Sequence, residues 1–266
     1  MATLDQLDSL LLTGAAGLGP GFRGQQLGYL CRAQLPEGGF AGRQGGADLY
    51  YTDFALRLAL LLGAEEAVWE RTAGYLRRLP PPADLISLFC LLNASRLLMA
   101  AEILLPLDRE PLCELLAALA LPTGGFAKAP GGPVSAYATF IGAMCAEMLE
   151  VDLPAGADSV AAINGLQGPR GGYRESPGPG QEQTSATAAA VAFLNMQGAL
   201  SDEAASAAAR FLQAMQGPGG GLWAHADAPM EDLLSTFTGL VALVGLPEAE
   251  GVDLLGVARF ACDLAM

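Results

Sequence analysis

A pattern made of a glycine pair, a polar loop and a long apolar stretch recurs along this 266-residue chain. The residue after each glycine pair is aromatic or apolar, and it falls at Phe40, Phe126, Tyr173 and Leu222. The first gap is about twice as long as the other two, so one copy has lost its signature. We place that copy near Leu79–Ala83, where the sequence reads LPPPA. The result is five units of roughly 43–49 residues, a period typical of stacked repeats.

Each unit predicts two helices joined by a turn and a loop, and no strand is predicted. The first helix is amphipathic, whereas the second is apolar on nearly all sides. Because a helix that is apolar all round has to be buried all round, the second helices are expected to lie inside the first ones. The repeats are predicted at residues 21–63, 66–105, 109–150, 157–198 and 202–245. The inner helices are predicted at Asp48–Leu62, Ala83–Leu105, Ser135–Glu150, Gln183–Gln197 and Glu231–Val244.

The helix ends carry recognisable signals. Glycine at the end of an outer helix adopts a left-handed conformation and lets the chain reverse. Asp48, Ser135 and Asp232 stand where inner helices begin, and we predict that they act as N-caps or first-turn acids.

The composition excludes some classes of function. The net charge is −14, and an acidic surface repels phosphate backbones, so no nucleic-acid binding is expected. The five cysteines are widely spaced in apolar surroundings and form no C-x-x-C pair. They are predicted to be small buried hydrophobes in a reducing compartment rather than zinc ligands.

The chain also lacks the signals of membrane insertion. Its first residues include two Asp and no early Lys or Arg, which is unlike a signal peptide. The stretch Leu85–Leu107 is strongly apolar, but it contains Asn93, Arg96 and Glu102, which are costly in a bilayer. We therefore expect a helix in a protein core, no transmembrane segment and a cytoplasmic location.

The first repeat carries a family resemblance in three places: Gln34–Phe40, Gly42–Arg43 and Asp48–Thr52. These segments resemble the repeat of protein prenyltransferase β subunits and squalene cyclases, and the match is fair in repeats three to five and absent in repeat two. The resemblance implies an all-α protein with the α/α toroid (α/α barrel) fold. In such a toroid, inner helices surround an apolar cavity that holds an isoprenoid chain. We call the loops leading into the inner helices the rim.

Two predicted helices lie outside the repeats, at Leu4–Leu12 and Val252–Leu264. An array of repeats with open ends would expose apolar faces. We expect these two helices to pair as a sixth unit that closes the ring, in a single domain covering residues 1–266.

In the β subunits a catalytic zinc lies at the rim. The implied ligands are an Asp and a Cys two residues apart before the fourth inner helix, and a His early in the fifth repeat. Counting from the glycine pair places Glu182 and Thr184 at the first two positions, whereas counting back from the helix places Gln183 and Ser185 there. Ser235 stands at the third. Hydroxyl groups are poor zinc ligands, so neither zinc nor another cofactor is expected.

The cyclase branch offers no replacement site, because its Asp-x-Asp-Asp motif is missing from the chain. A metal site that is not inherited is conceivable at His225, the single histidine, with Asp227, Glu231 and Asp232 nearby. A loop histidine near acids is more often simply solvated.

Four cations lie in successive rim loops: Arg43, Lys128, Arg170 and Arg174. They either meet a diphosphate or carboxylate together, or they serve solubility. Aromatic residues recur along the inner helices, where they either line a cavity or fill it; they are Phe54, Phe89, Phe140, Phe193 and Phe237. The tyrosines at or near the inner-helix starts fit a half-wet cavity wall or ordinary packing; they are Tyr50, Tyr51, Tyr137 and Tyr173.

Two functional interpretations follow. The first is a binding module, a toroid without the inherited zinc site that holds an apolar ligand of the isoprenoid type, or a peptide, in its central cavity or at its rim. The second is a divergent prenyltransferase or terpenoid-handling transferase with an active site that is not inherited. The expected partners are an apolar small molecule or an isoprenoid diphosphate, and a protein subunit or a second copy. The candidate ligand-binding residues are Arg43, Asp48, Tyr50, Tyr51, Lys128, Tyr137, Tyr173, Arg174, Ser185, His225, Asp232 and Ser235.

Overall fold

The computed structural model describes residues 3–247 and 251–264, and these are almost entirely helical. The helices are α1 (Thr3–Ala16), α2 (Pro20–Ala33), α3 (Leu49–Leu62), α4 (Glu66–Leu76), α5 (Leu85–Ala100), α6 (Arg109–Leu119), α7 (Ala136–Leu149), α8 (Gly156–Asn164), α9 (Thr184–Met196), α10 (Asp202–Ala214), α11 (Leu233–Val244) and α12 (Leu254–Leu264). Each predicted repeat contains its two helices, so the helical-hairpin organisation is confirmed.

The described residues form two compact units. Unit 1 comprises residues 3–118 and 144–151, and unit 2 comprises residues 119–143, 152–247 and 251–264. Helices α1 to α5 belong to unit 1 and helices α8 to α12 to unit 2, whereas α6 and α7 contribute to both. That the chain is a single domain stays a prediction.

The first glycine of a pair needs the left-handed backbone region, as at Gly38 (φ +100°) and Gly220 (φ +96°). A Cβ on Gly38 would lie 2.1 Å from the carbonyl oxygen of Arg71 in α4, and one on Gly220 would lie 2.3 Å from that of Gly256 in α12. Each turn therefore packs directly on the backbone of the next outer helix. Helix α12 receives the fifth turn as α4 receives the first, so α12 takes the place of an outer helix. Its pairing with α1 stays a prediction.

One hydrogen bond recurs in four repeats and fixes how they correspond. The backbone N–H of the residue after the glycine pair donates to a threonine hydroxyl on the inner helix. The pairs are Phe40 with Thr52 (3.0 Å), Phe126 with Thr139 (3.0 Å), Tyr173 with Thr187 (2.8 Å) and Leu222 with Thr236 (2.8 Å). Each threonine lies four residues after the residue that precedes its helix. The equivalent preceding residues are therefore Asp48, Ser135, Gln183 and Asp232.

The predicted caps are confirmed: Asp48, Ser135 and Asp232 each accept a hydrogen bond from the backbone N–H three residues later. The prediction of no strands is wrong at one place. Strands β1 (Leu222–Trp223) and β2 (Glu231–Asp232) form a short antiparallel pair. The reason is that each rim loop runs antiparallel to the segment before its inner helix, and in the fifth repeat the two segments pair over two residues.

The second repeat replaces the glycine turn with prolines, and its inner helix differs from the prediction at both ends. Asp84 and Ser87 form a reciprocal capping box, so α5 begins at Leu85. The helix ends at Ala100 rather than Leu105, because Glu102 adopts a left-handed conformation with φ 61°.

The inner helices differ in how deeply they are buried. Helix α9 is buried along most of its length, as expected. On α3, in contrast, Tyr50 and Phe54 are exposed, and on α11 Leu234 and Phe237 are exposed. The expectation that every inner helix is buried on all sides is therefore wrong for α3 and α11. Because their exposed side chains are as apolar as their buried ones, the sequence pattern cannot distinguish the two faces.

The cysteine prediction holds for some positions only. Cys90 and Cys145 are buried and Cys113 is half-buried, whereas Cys31 on α2 and Cys262 on α12 are exposed. Within residues 3–247 and 251–264, no helix is both long and apolar enough to cross a membrane.

Candidate functional site

The start of α3 presents an exposed aromatic face made of Tyr50, Tyr51 and Phe54. The ring of Tyr50 meets the rings of Tyr51 and Phe54 edge to face, with centroids 5.4 and 5.0 Å apart. The three side chains are 45%, 44% and 54% exposed. Gly42 lets the Tyr51 ring lie against the rim loop, since a Cβ there would come 2.3 Å from that ring. Three large aromatic residues held open to solvent form an apolar surface that a ligand can cover.

A buried polar network lies beside this face and joins three helices of unit 1. Asn93 on α5 donates to Asp53 on α3 (2.5 Å), and Arg96 on α5 donates to the Asn93 amide oxygen (2.9 and 3.1 Å). Arg96 also pairs with Asp8 (2.6 Å) and Asp5 (3.0 Å) on α1.

Asp53 is the most constrained carboxylate of this network. It is 3% exposed, and Asn93 is fully buried. Burial raises the pKa of Asp53, and the charge of Arg57, 3.8 Å away, acts in the opposite direction. Sequence reasoning missed the network because its members are far apart in the chain. The available signal was the pair of polar residues three positions apart, Asn93 and Arg96, inside an otherwise apolar stretch.

At the rim of unit 2, two of the four predicted cations are already neutralised. Lys128 pairs with Glu175 (3.0 Å), and its Nζ lies 5.8 Å from the centroid of the Tyr137 ring. Glu175 also accepts a hydrogen bond from the Ser135 hydroxyl. Arg170 pairs with Glu182 (2.7 Å), which is almost fully buried. These carboxylates compete with any bound anion for the two cations.

The other two cations are less engaged. Arg43 is exposed in unit 1. Arg174 is half-buried in unit 2, and its Nε is buried without a hydrogen-bond partner in the described part of the chain. Nδ1 of His225 is likewise buried, and it has no hydrogen-bond partner among the described residues. A buried guanidinium nitrogen without an acceptor favours an anion beside it.

The threonine register bears on the two ways of counting the inherited zinc positions. Gln183 is equivalent to Asp48 and Asp232 in the repeat, which favours the count back from the helix, the one that assigns Gln183 and Ser185 to the implied positions. Ser235, at the third position, donates its hydroxyl to Asp232 (2.7 Å).

The residues that the other count assigns, Glu182 and Thr184, make contacts with other groups. Thr184 donates its hydroxyl to the carbonyl oxygen of Trp223 (2.6 Å), and Glu182 holds Arg170. No group of three or more His, Cys, Asp and Glu side chains among the described residues is arranged to hold a metal ion.

The remaining aromatic candidates separate by burial. Tyr173 is fully buried in the core of unit 2, among residues such as Phe193 and Phe211, so it packs rather than lining an open surface. Tyr137 is 39% exposed. In unit 2, Phe237 is 45% exposed and lies with Leu233 and Leu234 in a second exposed apolar face, on α11.

Two shallow depressions in unit 2 are lined by none of these exposed apolar side chains. One, of about 390 Å³, is lined by Gln167, Gly168, Pro169, Arg170, Gly171, Ala207 and Arg210. The other, of about 320 Å³, lies at the start of α8 and is lined by residues such as Leu153 and Val160.

Comparison with known proteins places these features in a family. The model of the prenyltransferase alpha-alpha toroid domain matches residues 9–162 and 150–264. No curated protein sequence matches. Protein geranylgeranyltransferase-I of Candida albicans, solved in complex with GGPP, is similar in structure with 13% identity and a TM-score of 0.69; the match covers 92% of this chain and 85% of that one.

A second group of similar structures is the type II terpene cyclase MstE from Scytonema. A variant in complex with geranylgeranyl dihydroxybenzoate has 15% identity and a TM-score of 0.61, over 96% of this chain and 79% of that one. The apo enzyme has 14% identity and a TM-score of 0.61, over 94% and 79%. The predicted all-α toroid fold is confirmed by the family match and by these structures together. The chain belongs to the prenyltransferase alpha-alpha toroid domain family.

Proposed function

We propose that this protein binds an apolar chain of the isoprenoid type along the exposed faces of its inner helices. The observation that carries the proposal is the aromatic face of α3, where Tyr50, Tyr51 and Phe54 stay exposed although the rest of the helix is packed. Covering apolar surface is favourable by about 25 cal/mol per Å². Solved structures of the same fold were obtained with GGPP and with geranylgeranyl dihydroxybenzoate, which are isoprenoid compounds, and this supports the choice of ligand class.

A diphosphate head group suits a cation that has no ion-pair partner among the described residues. Arg43 in unit 1, the unit that contains the aromatic face, is such a cation, whereas Lys128 and Arg170 already pair with Glu175 and Glu182. Arginine presents several donors in a planar fork that matches phosphate oxygens. The head group therefore orients the ligand, while the apolar chain provides most of the affinity.

The test is thermal denaturation with farnesyl or geranylgeranyl diphosphate. A ligand at 100 times its Kd stabilises by about 2.7 kcal/mol, which for a chain of this size raises the Tm by about 5–10 °C. Tyr50→Ala with Phe54→Ala should abolish most of the shift, and Arg43→Ala should reduce it.

The matched control removes two exposed aromatic residues from the outer helix of the same unit. Tyr29→Ala with Phe22→Ala should leave the shift unchanged, since both lie on α2. The proposed function is wrong if neither diphosphate shifts the Tm of the unaltered protein. It is also wrong if the Tyr50→Ala with Phe54→Ala variant and the Tyr29→Ala with Phe22→Ala variant show the same shift.

We also propose that the protein works without the family's zinc. The argument is the donor set: an amide at Gln183 and hydroxyls at Ser185 and Ser235 replace the implied carboxylate, thiolate and imidazole. Metal analysis of protein purified without a metal-binding tag should find no stoichiometric zinc. One equivalent of zinc that disappears in His225→Ala would contradict this and favour the transferase interpretation.

A further inference from the structure

The side chain that covers the first glycine turn is missing from the fourth. A Cβ on Gly171 would lie 2.7 Å from the carbonyl oxygen of Ala207 on α10. The corresponding contact of Gly38 is with Arg71 on α4, so Ala207 is the equivalent of Arg71. The Arg71 side chain reaches over the first turn and donates to the carbonyl oxygen of Leu35 (2.9 Å). Alanine is too short to do so, and a depression of about 390 Å³ lies over the fourth turn.

Arg170 lines this depression, and three contacts hold it in place. Its Nε and its backbone N–H donate to the two carboxylate oxygens of Glu182 (2.7 and 2.8 Å). Its guanidinium carbon lies 5.9 Å from the centroid of the Phe211 ring. This arrangement requires glycine at position 168, because a Cβ there would come 2.2 Å from the Glu182 carboxylate. An arginine held in this way loses little further conformational freedom when a ligand binds.

The contacts with Glu182 occupy only one edge of the Arg170 side chain. Among the described residues, the two terminal guanidinium nitrogens have no hydrogen-bond acceptor, and the side chain is 47% exposed. Arg210 on α10 brings a second guanidinium to the same depression. No carboxylate is among the described residues that line it, although the chain has twice as many acids as cations. The depression therefore offers donors to an anion.

We propose that this depression, which we call the turn site, binds a phosphate group between Arg170 and Arg210. Arginine presents its donors in a planar fork that matches phosphate oxygens, and a dianion gains from each of two guanidinium groups. The volume leaves room for the phosphate and a small organic group attached to it. The turn site uses none of the aromatic residues of α3, so this inference does not rest on the proposed function.

The fifth turn carries only one of the two arginines. Gly220 packs on α12 at Gly256 as the fourth turn packs on α10. Arg259, three residues further along α12, is therefore the equivalent of Arg210. A glycine stands at the position of Arg170. The fifth turn thus provides a matched control, an exposed arginine on an outer helix without the second guanidinium.

The experiment titrates the unaltered protein, in a buffer without phosphate, and follows its backbone amides by NMR. Inorganic phosphate and glycerol 3-phosphate are the two probes. Saturable shifts should appear at the amides of Gly168, Arg170, Gly171 and Arg210. A lower Kd for the ester would identify a phosphate carried on an organic molecule as the ligand, and a lower Kd for inorganic phosphate would identify the free anion.

Three variants test the assignment of the donors. Arg210→Gln should weaken binding at least about tenfold, the effect of losing one charge-assisted hydrogen-bonding partner. Ala207→Leu places a side chain over the turn and should abolish binding without removing a charge. Arg259→Gln removes the equivalent arginine of the fifth turn and should leave the Kd unchanged.

Several results would overturn the turn site. They are the absence of saturable shifts with both probes, shifts of equal size at the fourth and fifth turns, an equal loss in Arg210→Gln and Arg259→Gln, and unchanged binding in Ala207→Leu. The variant Tyr50→Ala with Phe54→Ala alters neither turn and should bind phosphate as the unaltered protein does. Failure of the proposed function would therefore leave the turn site standing, and the reverse also holds.

Discussion

In unit 1, Asp53 and Asp8 are buried and the half-buried Arg96 joins their helices beside an exposed aromatic face, whereas in unit 2 the ion pairs lie at the rim. Arg96, Asp53 and Asp8 belong to the first arrangement. Lys128 with Glu175 belongs to the second, with both side chains in partial contact with water. Repeats of one kind thus use their ion pairs in two ways. In unit 1 the ion pairs join helices, and in unit 2 they neutralise cations at the rim.

This difference bears on where a ligand can bind. The rim of unit 2 has two of its cations neutralised, and its repeats are tied to one another: the backbone N–H of Ala136 donates to Glu175, and that of Thr184 donates to Ala224. Within residues 3–247 and 251–264, Leu49 at the start of α3 makes no equivalent backbone hydrogen bond to the second repeat, which has prolines in place of the glycine turn. The tyrosines at the start of α3 consequently stay open.

The largest expected effect separates the two kinds of ion pair. Arg96→Ala should lower the free energy of unfolding by about 3–5 kcal/mol, because it leaves the Asp8 carboxylate and the Asn93 amide oxygen buried without their partner. Lys128→Ala should cost less than about 1 kcal/mol, because that pair is partly solvated. Urea denaturation of both variants provides the comparison. Equal losses would contradict the distinction between the units.

The second prediction concerns pH. Burial raises the pKa of Asp53 in the folded protein above its value in the unfolded chain, so the folded state holds the proton more tightly. The stability from this group is full below the ordinary Asp range and is lost as pH rises through the raised pKa. Asp53→Asn should remove that loss, so its stability should fall less with rising pH than that of the unaltered protein. Glu70→Gln, an exposed carboxylate on α4, should leave the pH profile unchanged, and the idea fails if Asp53→Asn does the same.

The smallest expected effect concerns the neutralised rim. Glu175→Gln frees Lys128 and should tighten binding of a prenyl diphosphate by about twofold to fivefold at low ionic strength, with the gain disappearing in high salt because exposed charges are screened. Calorimetric titration at two salt concentrations measures it. A gain that persists in Lys128→Ala with Glu175→Gln would show that Lys128 is not responsible.

Much of the fold could be predicted from the sequence, because the repeat has a strong local signature. The glycine turns are required where the backbone of Gly38 meets that of α4, and the caps at Asp48 and Asp232 follow from their position before an apolar run. The register of the fourth repeat needed the structure, since two counts were equally compatible with the sequence. The hydrogen bond from Tyr173 to Thr187 and the bridge between Tyr173 and Gln183 show that Gln183 is equivalent to Asp48.

The candidate site was less accessible to sequence reasoning. Asp53 and Asn93 meet, and Asp8 joins them through Arg96, only after three helices pack. No local sequence pattern predicts such a contact. Likewise, Tyr50 and Tyr173 look alike in the sequence, as tyrosines at or near the start of an inner helix. One is exposed and the other fully buried, because they occupy different positions in the repeat. Tyr50 lies in the first turn of α3, whereas Tyr173 follows the glycine pair, a position that is also buried at Phe40, Phe126 and Leu222.

Photoaffinity labelling tests the central claim most directly. A geranylgeranyl diphosphate analogue with a diazirine on its apolar chain should label peptides from α3, around Tyr50 and Phe54, and unlabelled geranylgeranyl diphosphate should compete. Phe54→Ala should reduce the labelling of these peptides. Labelling confined to outer helices such as α2, or labelling that the unlabelled compound does not displace, would contradict the proposal that the inner-helix face holds an isoprenoid chain.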